Sequence, residues 1–256
     1  MSFLDDVLEA KRSEITRLRQ APPRFTRAPD RDFARALRGP GLSVIAEIKR
    51  RSPSKGELRP RLDAAQTARA YSLGGAAAIS CLTDATFFGA HQDDFAQART
   101  AGLPVLRKDF LIDEIQIDES ASLGASAILL IARILDDRRL DALLRHAASL
   151  GLEALVEVHD EDEVDRSLAA GASIVGVNNR DLRTLEVDPG RALRLRPRIP
   201  AGTLSVAESG VRSRGDIDSL AAAGFDAVLI GEALVASPDP VVALMNLTGK
   251  GVEVSR

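Results

Sequence analysis

The chain is poor in the residues that build metal and redox centres. It has one cysteine, Cys81, and three histidines, His91, His146 and His159. A single thiol excludes an internal disulfide framework and any zinc site built on several cysteines, and it fits a reducing compartment. The histidines form no H-E-x-x-H pattern, and His91 and His146 fall in predicted helical segments, so all three read as structural or solvent-facing. Cys81 lies in an apolar run and reads as a buried core residue. A G-x-S-x-G elbow, a Walker loop and a zinc-deaminase signature are also missing. The longest apolar run, residues 127–132, falls far short of the ~20 residues that cross a bilayer. The opening MSFLDDVLEAKR is acidic within its first six residues and lacks the apolar core of a signal peptide. A cytoplasmic protein is expected, in which the NLT triplet at Asn246 has no glycosylation role. With 34 basic and 37 acidic side chains the net charge is −3. No field of one sign is available for nucleic acid or a membrane surface, and neither is an expected partner.

What the chain has in quantity is apolar sequence punctuated by glycine. Its 256 residues are 45% hydrophobic, enough for one large core. SLGGAAAISCL, TAGLPVLRK, SLGASAILLIA, SLGLEALVEV, AAGASIVGVN and AAGFDAVLIG each read as a helix closing at glycine before a buried strand. Gly41, Gly74, Gly102, Gly124, Gly151, Gly171, Gly202 and Gly224 mark eight such junctions. Amphipathic segments of helical length, such as 136–149 and 161–170, separate them. An open doubly wound sheet would carry a Gly-rich phosphate turn after its first strand, but KRRSPSKG stands there instead. The expectation is an α/β fold, a closed (β/α)8 TIM barrel, as one domain over residues 1–256 with 1–40 as an N-terminal helical extension. In that extension Leu4, Val7, Leu8, Lys11 and Ile15 share a helical face. Pro22, Pro23 and Pro29 interrupt the chain before a short helix around Phe33–Leu37. The extension reads either as a clamp on the barrel or as a lid over its mouth.

Barrel enzymes carry their chemistry where the strands end at their C-termini. Those places are polar here. The first predicted strand, 43–49, ends in Glu47 and Lys49, which alternate with Ala46 and Ile48 and share one face. The third ends in Lys108-Asp109, the fifth in Glu157, the sixth in Asn178-Asn179-Arg180, the seventh in Glu208-Ser209-Gly210 and the eighth in Gly231-Glu232. The chain has 29 arginines but five lysines, and Lys49, Lys55 and Lys108 fall at strand ends or in the loop after one. A lysine there supplies an ammonium whose pKa its surroundings can tune, which arginine cannot. The last two strand ends bring small residues and backbone N–H groups to the usual phosphate site of a barrel. Together these features point to Lys/Glu acid–base chemistry on a phosphorylated small molecule.

The motifs IAEIKRRSPSKG, LRKDF, LVEV, VNNRDL, AESGV and IGEAL, in this order, resemble those of the indole-3-glycerol phosphate synthase family. The N-terminal extension and the LTDATFFGA segment extend the resemblance over essentially the whole chain. It implies the fold already inferred and a catalytic set of Lys108 as general acid, Glu157 as general base or proton shuttle, and Glu47, Lys49, Asn178 and Glu208. Ser52, Phe88, Phe110, Arg180 and Ser209 would contact the substrate, and Ser209, Gly210, Gly231 and the Glu232 backbone its phosphate. An N-terminal aromatic contacts the substrate in some members, and Phe3 is the candidate here. The implied reaction is ring closure of 1-(2-carboxyphenylamino)-1-deoxyribulose 5-phosphate with loss of CO2 and water, without metal or organic cofactor. Docking to neighbouring tryptophan-pathway enzymes is compatible with the sequence. Two other readings stay open at this stage. One is a sugar-phosphate isomerase or Schiff-base aldolase on a related barrel; the other is a non-catalytic barrel that binds phosphorylated ligands.

Overall fold

Alternation along short apolar runs decides the architecture, because each run is buried on both sides and sends every second side chain inward. The computed structural model describes residues 3–24 and 32–249. Eight parallel strands run in chain order around a closed barrel. They are β1 (Ser43–Ile48), β2 (Ala78–Leu82), β3 (Val105–Lys108), β4 (Ala127–Ile131), β5 (Glu153–Val158), β6 (Ile174–Asn178), β7 (Leu204–Glu208) and β8 (Ala227–Ile230). β1 closes the ring, with Ile45 level with Ala78 of β2 on one side and Ser43 level with Ala227 of β8 on the other.

Outward residues such as Val44, Ala46, Val156, Val158, Val175 and Val177 join a core shared with the surrounding helices. Inward residues Ile45, Leu106, Leu129, Leu155, Ile174, Val206 and Leu229 fill the barrel itself. The helices are cut where the sequence supplies caps. Asp136 accepts from the Arg139 N–H and Asp160 from the Glu163 N–H, so the helices run Asp137–Ser149 and Glu161–Ala169, a residue shorter than expected at one end. β1 likewise stops at Ile48, one residue early.

Six of the eight expected glycine junctions take the left-handed conformation; Gly74 and Gly202 do not. In SLGGA it is Gly75 that turns left-handed, at φ 88°, while Gly74 ends its helix right-handed against Leu244. His91 departs from expectation too: it lies in the loop before helix Asp94–Arg99, where its N–H donates to the Asp94 carboxylate. His146 is helical as expected, and Cys81 is fully buried.

The N-terminal extension serves both ends of the barrel. Helix Phe3–Gln20 buries Leu4, Val7, Lys11 and Ile15 at the loops after β2 and β3, with Leu8 only half-buried. Helix Phe33–Leu37 plugs the opposite end with Phe33 and Leu37, and its Ala34 N–H donates to Glu153 at the start of β5. Pro29 lies outside the described residues. No helix among the described residues is long and apolar enough to cross a membrane.

Candidate active site

The inward rows change character at the C-terminal end of the barrel. Ile45 is followed by Glu47, Leu106 by Lys108, Leu155 by Glu157, Ile174 by Gly176 and Asn178, and Val206 by Glu208. These polar groups close over the apolar floor of Leu129, Ile131 and Leu229 and line a cavity of about 320 Å³. Because the period of two is fixed, all five project into one space although they lie far apart in sequence.

Lys108 Nζ stands 3.0 Å from Glu157 Oε2 and 3.4 Å from Glu208 Oε2. Burial alone would favour the neutral amine, but Glu157, Glu208 and Glu47 outweigh it and raise the ammonium's pKa. The two glutamates separate. Burial opposes ionisation of Glu157, yet Lys108 and His159 hold its carboxyl below the ordinary range. Burial pushes Glu208 up to about 8 against the pull of Lys108, and the charges of Glu157 and Glu47 add to the rise. Two carboxyls pushed apart in this way can serve as base and acid at one pH. Glu47 pairs with Lys49 at 2.7 Å beside them. Two glycines make room for the carboxylates: a Cβ at Gly176 would fall on Glu208 Oε1, and one at Gly231 on Glu47 Oε1.

On one side the cavity is aromatic. Phe88 and Phe110 lie 6.2 Å apart between ring centroids, and Phe3 packs edge-on against Phe110 and Phe87 at 6.3 and 5.4 Å. On the other side the backbone is bent to present itself. Ser209 and Gly210 have φ of 64° and 84°, and Asn179 Nδ2 holds the Ser209 carbonyl at 2.9 Å. A serine in this conformation costs on the order of 1–3 kcal/mol, an expense concentrated at functional turns. Gly231 opens the short helix Glu232–Val235 without a side-chain cap. Behind the cavity, Lys11 enters from the first helix and ion-pairs with Asp109 at 2.7 Å and Asp84 at 2.9 Å.

The profile of the family described as indole-3-glycerol phosphate synthase matches residues 4–247. This chain belongs to that family. Indole-3-glycerol phosphate synthase 2 of Streptomyces coelicolor is 52% identical over 238 residues, spanning 93% of this chain and 90% of its own. The synthase of Mycolicibacterium gilvum is 46% identical over 262 residues, covering 99% and 96%. Among solved structures, 3-hexulose-6-phosphate synthase from Salmonella typhimurium superposes with a TM-score of 0.62 at 14% identity, covering 81% of this chain and 97% of its own. Thiamine phosphate pyrophosphorylase from Pyrococcus furiosus gives 0.61 at 15%, covering 81% and 94%. At such identities these two share the fold alone.

For a member of the indole-3-glycerol phosphate synthase family, the expected residues gather well. Glu47, Lys49, Phe88, Lys108, Phe110, Glu157, Asn178, Arg180, Glu208, Ser209, Gly210, Gly231 and Glu232 all line the one cavity. Ser52 is not among the lining residues; it is buried, and its Oγ accepts the Lys55 N–H within its own loop. Glu232 was expected to act through its backbone, but its carboxylate also bridges Lys55 at 2.7 Å and Arg180 at 2.8 Å. Burial would raise that carboxyl; Lys55, Lys49 and Arg180 prevail and lower it. Sequence reasoning missed Arg212 as a lining residue, and it missed the partners of Lys11. The signal available for Lys11 was a lysine on an otherwise apolar helical face. His159, read as structural or solvent-facing, is wholly buried directly behind Glu157. No set of three or more His, Cys, Asp or Glu side chains among the described residues could hold a metal ion.

Proposed function

We propose that this chain catalyses the reaction for which its relatives are named, in the cytoplasmic synthesis of tryptophan. It is a carbon–carbon lyase of the carboxy-lyase type that closes the indole ring of 1-(2-carboxyphenylamino)-1-deoxyribulose 5-phosphate and releases CO2 and water. The observation that carries the reading is the Lys108 ammonium, 3.0 Å from Glu157 and 3.4 Å from Glu208, between an aromatic wall and a turn of left-handed backbone. Phe88 and Phe110 suit the anthranilate ring, and the Ser209-Gly210 and Gly231-Glu232 turns suit the phosphate, whose binding energy holds the reacting carbons together.

In the first step the carboxylate-bearing arene carbon attacks the ketone carbon. Lys108 stabilises the developing oxyanion and delivers its proton to that oxygen. The C–CO2 bond then breaks, and its electron pair neutralises the adjacent iminium, so the substrate supplies its own electron sink. Glu157 finally takes a proton from the new ring while the hydroxyl departs as water, assisted by protonated Glu208 as the acid, since Lys108 has already given its proton to the ketone oxygen. Asn178 orients the Arg180 segment by accepting the Arg180 N–H at 2.9 Å.

The test is a product assay. Purified, EDTA-treated protein should generate indole fluorescence from that one substrate. Lys108→Met should lower kcat by at least ~10²–10⁴-fold with little change in substrate affinity. Activity that requires added metal, or a Lys108→Met protein with native single-turnover chemistry, would contradict the reading.

A further inference from the structure

Behind Glu157 lies a buried chain of charged groups that the reaction as derived leaves unused. His159 follows β5 by one residue, and its side chain is fully enclosed. The imidazole is held between two carboxylates. Nδ1 is 3.0 Å from Glu163 Oε2, and Nε2 is 3.4 Å from Glu157 Oε1. Glu163 is itself fixed: the His159 main-chain N–H donates to the same Oε2 at 2.7 Å, and Arg133 Nε donates to Oε1 at 2.6 Å. Arg133 continues to Asp160 and Asp181 at 3.1 and 3.0 Å.

The proton count on this arrangement is restrictive. Arg133 and His159 hold Glu163 ionised against its burial, so it can only accept, and Nδ1 must carry a hydrogen. If the ring were neutral, Nε2 would turn a lone pair toward a carboxylate oxygen, an arrangement that needs a proton from somewhere. Glu157 Oε1 and His159 Nε2 are both buried, neither makes a hydrogen bond among the described residues, and they stand 3.4 Å apart facing each other. A single proton between them would satisfy both atoms. The groups that face this pair are Glu163 from helix Glu161–Ala169, with Arg133 behind it, and Lys108, Glu208 and Asn178 on the cavity side. In such a site a buried histidine fixes its neighbour's orientation and charge through the hydrogen it shares.

We propose that His159 is a positioning residue for Glu157. Anchored through Nδ1–H on Glu163, it shares the Nε2 proton with Glu157 Oε1, keeps that carboxylate ionised, and leaves Oε2 as the oxygen facing Lys108 and the substrate. The inference rests on the reading of Glu157 as the base. It assigns no substrate contact to His159.

Two substitutions separate the two faces of the ring, since a glutamine amide can replace Nε2 and an asparagine amide Nδ1. His159→Gln, which keeps a donor toward Glu157, should hold plateau kcat within about threefold of native, while the acid limb of its kcat profile moves up by about one pH unit because an amide N–H stabilises a carboxylate less than the shared imidazole proton does. His159→Asn, which keeps only the Glu163 side, should lose roughly 10–100-fold in kcat with KM changed little. Circular dichroism and thermal melts on both proteins accompany the kinetics. Asparagine restoring activity as well as or better than glutamine would overturn the proposal, because the histidine would then act through Glu163 on the loop alone. Equal loss in both variants, or native profiles in both, would overturn it as well. Glu157→Gln is measured alongside: if it leaves turnover intact, the assignment of Glu157 has failed and the proposal falls with it, an outcome distinct from failure of the His159 pair alone.

Discussion

Glu208 illustrates how much stability a single buried carboxyl of the cavity can take from this fold. Its carboxyl, pushed up to about 8 by burial, stays protonated in the folded protein at pH values where the unfolded chain, with a value near 4.5, has already ionised. Between those values the unfolded state binds fewer protons, so stability falls as pH rises from about 4.5 to about 8. By linkage the cost is at most a few kcal/mol at the upper end. Glu208→Gln removes that titration. The variant should be more stable than the native protein at pH 8–9, with the difference shrinking toward pH 4, and its kcat should be reduced. Denaturant melts across that range check this, and identical pH dependence in both proteins would contradict it. A residue kept at such a cost is the usual mark of a working site.

At the scale of elements, the two N-terminal helices do different jobs although one stretch of sequence carries both. Helix Phe33–Leu37 closes the end of the barrel remote from the chemistry with a fully buried Phe33. Phe33→Ala should cost about 3–5 kcal/mol and leave kcat nearly unchanged, because conserving that end preserves only stability. Helix Phe3–Gln20 instead reaches the catalytic face. Burial disfavours charge on Asp109, but Lys11 and Arg107 hold its carboxyl at about 2, so the stability it contributes is present above pH ~4 and lost as pH falls toward 2. Lys11→Met leaves Asp84 without its buried cation and Asp109 with Arg107 alone, at 3.2 Å. It should cost roughly 3–5 kcal/mol, flatten the acid side of the stability curve, and also lower kcat, since Asp109 adjoins Lys108. Equal kinetic effects of the two substitutions would refute this division between the helices.

At the scale of the whole molecule, a loop whose sequence suggests mobility over 50–58 stands beside the cavity, with Lys55 among the lining residues. The structure narrows that segment. Arg50 is buried and bound in bidentate fashion to Asp94 at 2.9 and 2.6 Å, and only residues 53–57 are exposed at the tip. Lys55 and Ser54 reach across to Glu232 and Arg180, tying the tip to the side of the cavity formed by the Gly231-Glu232 turn. Ligand on that side should therefore draw the tip down. A protease that cuts after lysine should nick the free protein at half-exposed Lys55, and indole-3-glycerol phosphate should slow the cut several-fold. Cleavage at an unchanged rate would rule out closure.

The sequence by itself determined the barrel and most of its mouth. Buried strands of period two, separated by capped amphipathic helices, leave few ways to satisfy both faces of a parallel sheet, and that period carries Glu47, Lys108, Glu157, Asn178 and Glu208 inward together. Six of the eight glycine junctions were legible for the same reason; Gly202 was not, nor was which glycine of Gly74-Gly75 turns, where Gly74 packs against Leu244 from the far end of the chain. Local sequence also misplaced His91 in a helix, where the Asp94 carboxylate that Arg50 binds holds its N–H instead. Only the tertiary structure decided the partners of Lys11, the double ion pair of Glu232, the place of His159 behind Glu157, and the opposite shifts of Glu157 and Glu208. Each of these is set by charges from other strands and helices at distances near 3 Å in a buried setting. Periodicity says which way a side chain points; what it meets there, and hence its proton affinity, depends on residues that folding alone brings within reach.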